Sequence, residues 1–223
     1  MNRDEITRIC EQEVLDPAAR LFGTSKAGLT KIPDSEGCAN LVYEYLHNGQ
    51  ARMLRITYRT ERPVAVVQAE LHFVNYLADG GVRVSRPVLS ENGNLLEVIP
   101  AEGISFIVAS FIKGRGMRVP DNDYRYRVGA PMEEYYQNWG QVLGQMHRLT
   151  KCYHPISAAV RRPAWFDWEY TSGFPYREQL PVIATKYDAL IAELEALPRD
   201  VDAYGLIHND FNDGNFTVDY ENG

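Results

Sequence analysis

YGLIHNDFNDGNFTV, residues 204–218, is the stretch on which the reading of this chain turns. Its apolar entry, Leu206 and Ile207, drops into polar and acidic residues around Phe211 and climbs back into the β-like run Phe216-Thr217-Val218. Asp210 and Asn215 stand five positions apart in a loop that leaves a core-seeking segment. A carboxylate held there accepts a hydroxyl proton, and an amide oxygen five residues on can turn back to bind Mg²⁺. On that reading Asp210 is a base, Asn215 a metal ligand, and His208 a brace for the loop. Two other readings fit the same residues. An Asx-rich turn would spend Asn209, Asp210, Asn212 and Asp213 on nearby backbone groups, with Gly214 at the bend. A calcium loop would place Asp210, Asn212 and Glu221 at its first, third and twelfth positions. Its glycine, however, falls at the fifth position instead of the sixth, and no helix leads into it.

Composition bounds what such a loop can belong to. A chain of 223 residues buries a substantial core, as one large domain or two small ones. With 45% hydrophobic and 24% charged residues it is globular, not disordered. A net charge of −7 argues against nucleic-acid binding, which needs clustered Lys and Arg. Acidity suits a cationic ligand and plain solubility equally. Cys10, Cys38 and Cys152 are far apart and lack CxxC spacing, so they read as free thiols of a reducing compartment. The opening MNRDEITRICEQEV is charged throughout and is no signal peptide. No apolar run approaches the roughly 18–20 residues of a membrane span. The expectation is a cytoplasmic protein without membrane contact; its oligomeric state is not set by the sequence.

Working back from the loop, the periodicity predicts a helix over 181–197 that buries Ile183, Tyr187, Leu190, Ile191, Leu194 and Leu197. Before it come an aromatic, Pro-containing loop (161–176) and a helix over 132–150. That helix places Trp139, Val142 or Leu143, Met146 and Leu149 on one face. The Gly-containing KGRG (113–116) separates this half from a strand-rich one and sets a boundary between 1–112 and 113–223. Ligands often sit at such a junction. The first half ends on the apolar strand ISFIVASFI (104–112). Ahead of it lie strands at 86–90 and 94–99, joined by the turn Glu91-Asn92-Gly93. Pro63 opens a helix with Val67, Leu71, Val74 and Leu77 or Ala78 on one face, and Asp79-Gly80-Gly81 ends it. Strands at 27–32, 39–47 and 50–58 precede it, the last two joined by Asn48-Gly49, a strong hairpin signal. Residues 3–22 read as one or two short helices, with a break or restart at Pro17.

Three residues of this half carry chemical interest. Gly37 lies between two β-like runs, where a backbone could close over phosphates or simply bend a hairpin. Strand alternation puts Met53, Arg55 and Thr57 on one face and Leu54, Ile56 and Tyr58 on the other. An arginine in so apolar a strand wants an anionic partner, and Glu70 on the next helix can supply one. Both side chains could equally be exposed.

The order of these features is that of the protein kinase-like plan: Gly-bearing hairpin, strand with a cation, helix with an acid, apolar strand, linker, helices, and H-x-D-x-x-x-x-N. The chain resembles the aminoglycoside phosphotransferase and choline kinase branch of that superfamily over about residues 25 to 223. LIHNDFNDGNFTVD is close to the family's H-G-D-x-x-x-x-N loop, with Asn209 where a Gly is usual. AELHFVNYLADGGVRVSRPV is similar to its first long helix and following strand. The resemblance implies an α+β, two-lobed fold with an antiparallel N-terminal sheet and a mainly helical, incomplete C-terminal lobe. It implies transfer of the γ-phosphoryl group of ATP (or GTP), with Mg²⁺, to a small-molecule hydroxyl. Asp210 would then orient or deprotonate that hydroxyl, with Asn215 on the metal.

Arg55 falls where the family commonly has a phosphate-binding Lys, with Glu70 as its ion-pair partner. Met53 would roof the nucleotide pocket, and the backbone of Ser110, Phe111 and Ile112 would form the hinge that meets the adenine edge. Arg keeps the charge of the usual Lys but is bulkier and forked. A second metal-binding Asp is expected on a strand beyond residue 223, as are the last helices of the acceptor pocket. The sequence therefore reads as a fragment, inactive on its own. The competing expectation is a non-catalytic module of kinase descent that binds a nucleotide or a partner; a third is a structural domain without ligand.

Overall fold

The computed structural model describes residues 2–33, 40–58, 63–118, 132–165, 176–212 and 214–219. Gly37 lies outside them, as do Cys38, Asp213 and Glu221.

The chain begins with one continuous helical rod. Helix α1 (Arg3–Ile9) is capped by Asn2, whose side chain accepts the Glu5 N–H at 2.9 Å. A π-helical segment, Cys10–Val14, then passes into α2 (Leu15–Leu21) without a break. Pro17 brings no restart. The widened π turn lies just upstream of a residue that cannot donate to the helix ladder. The rod stops at Gly23 (φ 69°), with Thr24 N–H bonded to Ala19 O and Gly23 N–H to Arg20 O, a Schellman end.

Strands β1 (Thr30–Lys31), β2 (Asn40–His47) and β3 (Gln50–Thr57) open an antiparallel sheet. Asn48 (φ 51°) and Gly49 (φ 76°) both take positive φ, the requirement of a type I′ turn, and pin His47 opposite Gln50. The strand expected over 27–32 is reduced to β1, because Lys26–Gly28 form a 3₁₀ turn. Helix α3 (Val64–Asp79) follows Pro63 and closes on Gly80.

Strand β6 (Ile104–Ile112) lies beside β3 and receives β4 (Pro87–Val88) and β5 (Glu97–Ala101) along its other edge. β4 and β5 both pair with β6, so together they make one interrupted strand with an excursion between them. Glu97 holds that excursion: its Oε1 accepts from the Ser90 hydroxyl (2.6 Å) and from the Asn92 and Asn94 amides (3.1 Å each). Burial pushes the Glu97 carboxyl up, but these three donors outweigh it and hold the group below the usual carboxylate range.

Alternation along β2, β3 and β6 divides the sheet into two faces. On one, Ile9, Val14, Leu15 and Phe22 of the helical rod pack against Leu41, Tyr43, Tyr45, Leu54, Ile56 and Val108. Burial in this core pushes the Cys10 thiol up to about 12. On the other, Val67 and Leu71 of α3 pack against Ile107, Ala109 and Phe111. Met53, Arg55 and Thr57 share this second face, as the alternation predicts.

The second half contributes β7 (Met117–Arg118), α4 (Met132–Thr150), α5 (Pro181–Ala196) and β8 (Thr217–Val218), with β7 paired to β8. α4 spans the predicted range. Its Met146 is buried with Leu77 and Val82, flanked by Val142, Leu149 and Phe211. Helix α5 forms where the periodicity places it, but its apolar stripe is not covered. Only Ala184 is buried, while Ile183 is 49% and Leu190 52% exposed, and Leu194 and Leu197 are exposed too. Periodicity reports which side of a helix is apolar; burial needs a second surface to meet it. Ile207, expected to lead a buried strand into the loop, is likewise exposed, and residues 204–208 form no strand. No helix of the described residues is long and apolar enough to cross a membrane.

Candidate active site

The loop that follows Ile207 is built around Asp210. Its Oδ1 accepts the Asn212 amide at 2.5 Å and its Oδ2 the Asn215 amide at 2.9 Å. Asn215 Nδ2 also reaches the Asp210 carbonyl at 2.8 Å. Asn212 closes an Asx turn on the Gly214 N–H (2.9 Å), and its carbonyl accepts the Asn215 N–H (3.0 Å). Of the readings open in the sequence, the structure shows the Asx turn. What that turn does is fix a carboxylate against an amide five residues on.

Asn212 is the residue that motif spacing passed over. Phe211 is another, although it is the lone large apolar side chain in a polar run. Its ring lies 5.1 Å from His208, 6.2 Å from Trp139 and 5.4 Å from Phe216, which nails the loop to α4. His208 meets the loop through that ring contact. Upstream, the Thr150 hydroxyl lies 3.0 Å from the Leu206 carbonyl. A Cβ on Gly205 would come within 2.7 Å of the Thr150 methyl, so this approach needs glycine.

The second constellation sits on the α3 face of the sheet. Arg55 Nη1 donates to Glu70 Oε1 at 2.6 Å, with both side chains about three-quarters shielded (20% and 24% exposed). The Arg55 guanidinium lies 4.9 Å from the Phe111 ring centroid, a cation–π distance. Its Nε is buried and has no hydrogen-bond acceptor among the described residues. A buried donor left open is costly, and an anionic oxygen beside Arg55 would satisfy it.

Met53 is half-buried and registers opposite Phe111, so the two flank Arg55 on one face. Ser110 is fully buried, and its hydroxyl lies 2.7 Å from Tyr45 Oη on the opposite face. The Ile112 N–H donates to the Arg86 carbonyl (2.9 Å) and the Lys113 N–H to the Ala51 carbonyl (3.1 Å). The fold itself therefore takes these two donors. Gly116 (φ 87°) ends the 113–116 linker, where a Cβ would meet the Val218 carbonyl.

A shared core joins the two constellations. Leu77 of α3, Met146 of α4 and Phe211 of the loop pack together, so the helix carrying Glu70 and the loop carrying Asp210 rest on one another. The Tyr153 hydroxyl adds a bond of 2.9 Å to His72, and Tyr76 Oη donates to the Leu149 carbonyl at 3.1 Å. Burial pushes the Tyr153 phenol up.

Asn215 can offer a divalent cation a hard oxygen here. Committing Asn215 Nδ2 to Asp210 leaves the Asn215 Oδ1 as the amide's donor to a metal. Among the described residues no group of three or more His, Cys, Asp or Glu gathers to hold a metal. Mg²⁺ suits that donor set, because it keeps waters and takes phosphate oxygens from a nucleotide in place of a protein cage.

A five-stranded path of antiparallel strands, a helix whose carboxylate pairs with a strand cation, and a loop of His-x-Asp-x-x-x-x-Asn define a kinase-like architecture. The chain matches the phosphotransferase enzyme family (APH) over residues 31–223 and belongs to it. Amicoumacin kinase of Bacillus subtilis (strain 168) is 33% identical over 213 residues, 94% of this chain and 60% of that protein. The structure of amicoumacin kinase hAmiN in complex with AMP-PNP, Ca²⁺ and Ami superposes with a TM-score of 0.81 at 30% identity. It is matched over 97% of this chain and 63% of its own. A microcompartment-associated aminopropanol kinase shares the fold (TM-score 0.67, 21% identity, 96% of this chain and 65% of that one). The chain thus spans about three-fifths of the length of the relatives it matches.

Proposed function

We propose that the protein is a small-molecule kinase that moves the γ-phosphoryl group of ATP, bound with Mg²⁺, to an alcohol hydroxyl. The observation that carries this reading is the Asp210 carboxylate, fixed by the amide of Asn215 in a member of a phosphotransferase family. Asp210 accepts or orients the acceptor's hydroxyl proton. Asn215 offers its Oδ1 to the metal, which when bound neutralises charge on the phosphates. Arg55 faces the phosphates, Glu70 holds Arg55, and Met53 and Phe111 line the nucleotide's apolar side. Gly37 would close over the phosphates, and the strand end at Ser110–Ile112 with the linker would border the base. Likeness to amicoumacin kinase makes an amicoumacin hydroxyl the first acceptor to test. The free thiols Cys10 and Cys152 support a cytoplasmic setting, and neither nucleic acid nor membrane enters the reading.

The test is nucleotide consumption by the whole protein with amicoumacin, set against a panel of amino-alcohols and sugars, with ATP and GTP compared. The proposal expects acceptor-dependent turnover of Mg-ATP or Mg-GTP, and nucleotide affinity reduced about tenfold or more by Arg55→Ala. Failure to bind either Mg-nucleotide at millimolar concentration would overturn it. Binding without transfer to any acceptor would favour the non-catalytic module.

A further inference from the structure

Glu70 is gripped from two sides. Its Oε1 takes the short bond from Arg55 of β3, and its Oε2 faces Arg162 Nη1 at 3.7 Å. That second distance is an ion-pair contact and not a hydrogen bond. All three side chains are shielded to a similar degree, with Arg162 at 30% exposure, so solvent screens the triad less than a surface pair. Arg162 comes from the segment after α4, far along the chain from both partners. This segment runs along the first turns of α3, where Val66, Ala158, Ala159, Arg161 and Pro163 line an open cleft of about 280 Å³. The Arg162 contact is therefore part of a continuous seam between α3 and the second half, together with His72–Tyr153 and Tyr76–Leu149.

A carboxylate touched on one oxygen can turn about its last torsion and carry its arginine with it. Touched on both, it has a narrower range of orientations. The Arg55 guanidinium is then held between the Phe111 ring, 4.9 Å away, and Glu70. We propose that Arg162 is a positioning residue for Arg55, acting through Glu70, so that the second half of the chain sets the aim of the phosphate-facing guanidinium. This inference rests on the reading of Arg55 given under the proposed function. Its logic is a relay, so removing Arg162 matters only while Arg55 is present.

The experiment is a double-mutant cycle on Mg-ATP affinity with Arg55→Ala, Arg162→Ala and the double variant, adenosine serving as the ligand without phosphates. Arg162→Ala is expected to weaken Mg-ATP about fivefold and leave adenosine unchanged. Arg162→Lys is expected to recover part of the loss, and the double variant to bind as Arg55→Ala alone. Arg162→Lys also replaces the Ala variant in the cycle if the latter does not fold. Equal losses in both backgrounds, equal losses for adenosine, or wild-type affinity in Arg162→Ala would each overturn the relay. Side-chain NMR of the Arg55 guanidinium in the nucleotide-free protein separates this from the functional reading. Restricted rotation in wild type that is released by Arg162→Ala supports the positioning role even if no nucleotide binds. Unchanged rotation contradicts it.

Discussion

The β2–β3 hairpin and helix α5 were equally plain as patterns, and the structure treats them differently. The hairpin forms over 40–47 and 50–57 in the expected register, with Leu54 and Ile56 fully buried under the N-terminal helical rod. α5 forms over its predicted length, yet its apolar side faces outward. The hairpin's determinants are local: a type I′ turn at Asn48-Gly49 and strict alternation, which together leave one register. The α5 stripe says only that the helix has an apolar side. What meets that side is tertiary information, and among the described residues little does.

The contrast can be broken by substitution. Leu54→Ala in the sheet core should cost about 2–5 kcal/mol, whereas Val182→Ser on the 70%-exposed flank of α5 should stay within about 0.5 kcal/mol. Denaturant melts of the two variants read this directly, and equal destabilisation would mean that α5 is covered in solution. Gly116→Ala comes next. Positive φ and the approach of the Val218 carbonyl leave no room for a Cβ, so the β7–β8 pairing must give way. A loss of about 2–4 kcal/mol is expected. A melting temperature equal to wild type would show that this pairing contributes nothing to the junction.

The smallest effect separates the halves by reactivity. Cys10, its thiol pushed up to about 12 by burial against the sheet, should resist alkylation at pH 8, while exposed Cys152 reacts. Peptide mass spectrometry distinguishes them. Because the folded Cys10 value is raised, its neutral thiol favours the folded state fully below the unfolded thiol's range. That contribution is lost as pH climbs towards 12.

Legibility in the sequence follows the same local rule at the site. Asp210, Asn215 and their spacing lie within one loop, so the motif was readable, while an arginine in an apolar strand suggested Glu70 as its partner and left open whether both were exposed. Asn212 was hidden because an Asx turn and a catalytic loop draw on the same residue types, and only the bond to Asp210 Oδ1 shows that the turn holds this carboxylate. Arg162 was hidden because nothing local distinguishes it from Arg161. Its meaning lies in a contact with Glu70 across the fold. Strands β4 and β5 were readable as strands but not as a single interrupted edge, which depends on both pairing with β6.

The central claim is that Asp210 handles the acceptor's proton while the rest of the site binds nucleotide. Its most direct test is the rate of γ-phosphoryl transfer by the whole protein carrying Asp210→Asn, with nucleotide affinity measured in parallel. The account predicts transfer reduced by about a hundredfold to ten-thousandfold, with Mg-ATP affinity within about threefold of wild type. Transfer at the wild-type rate would contradict it.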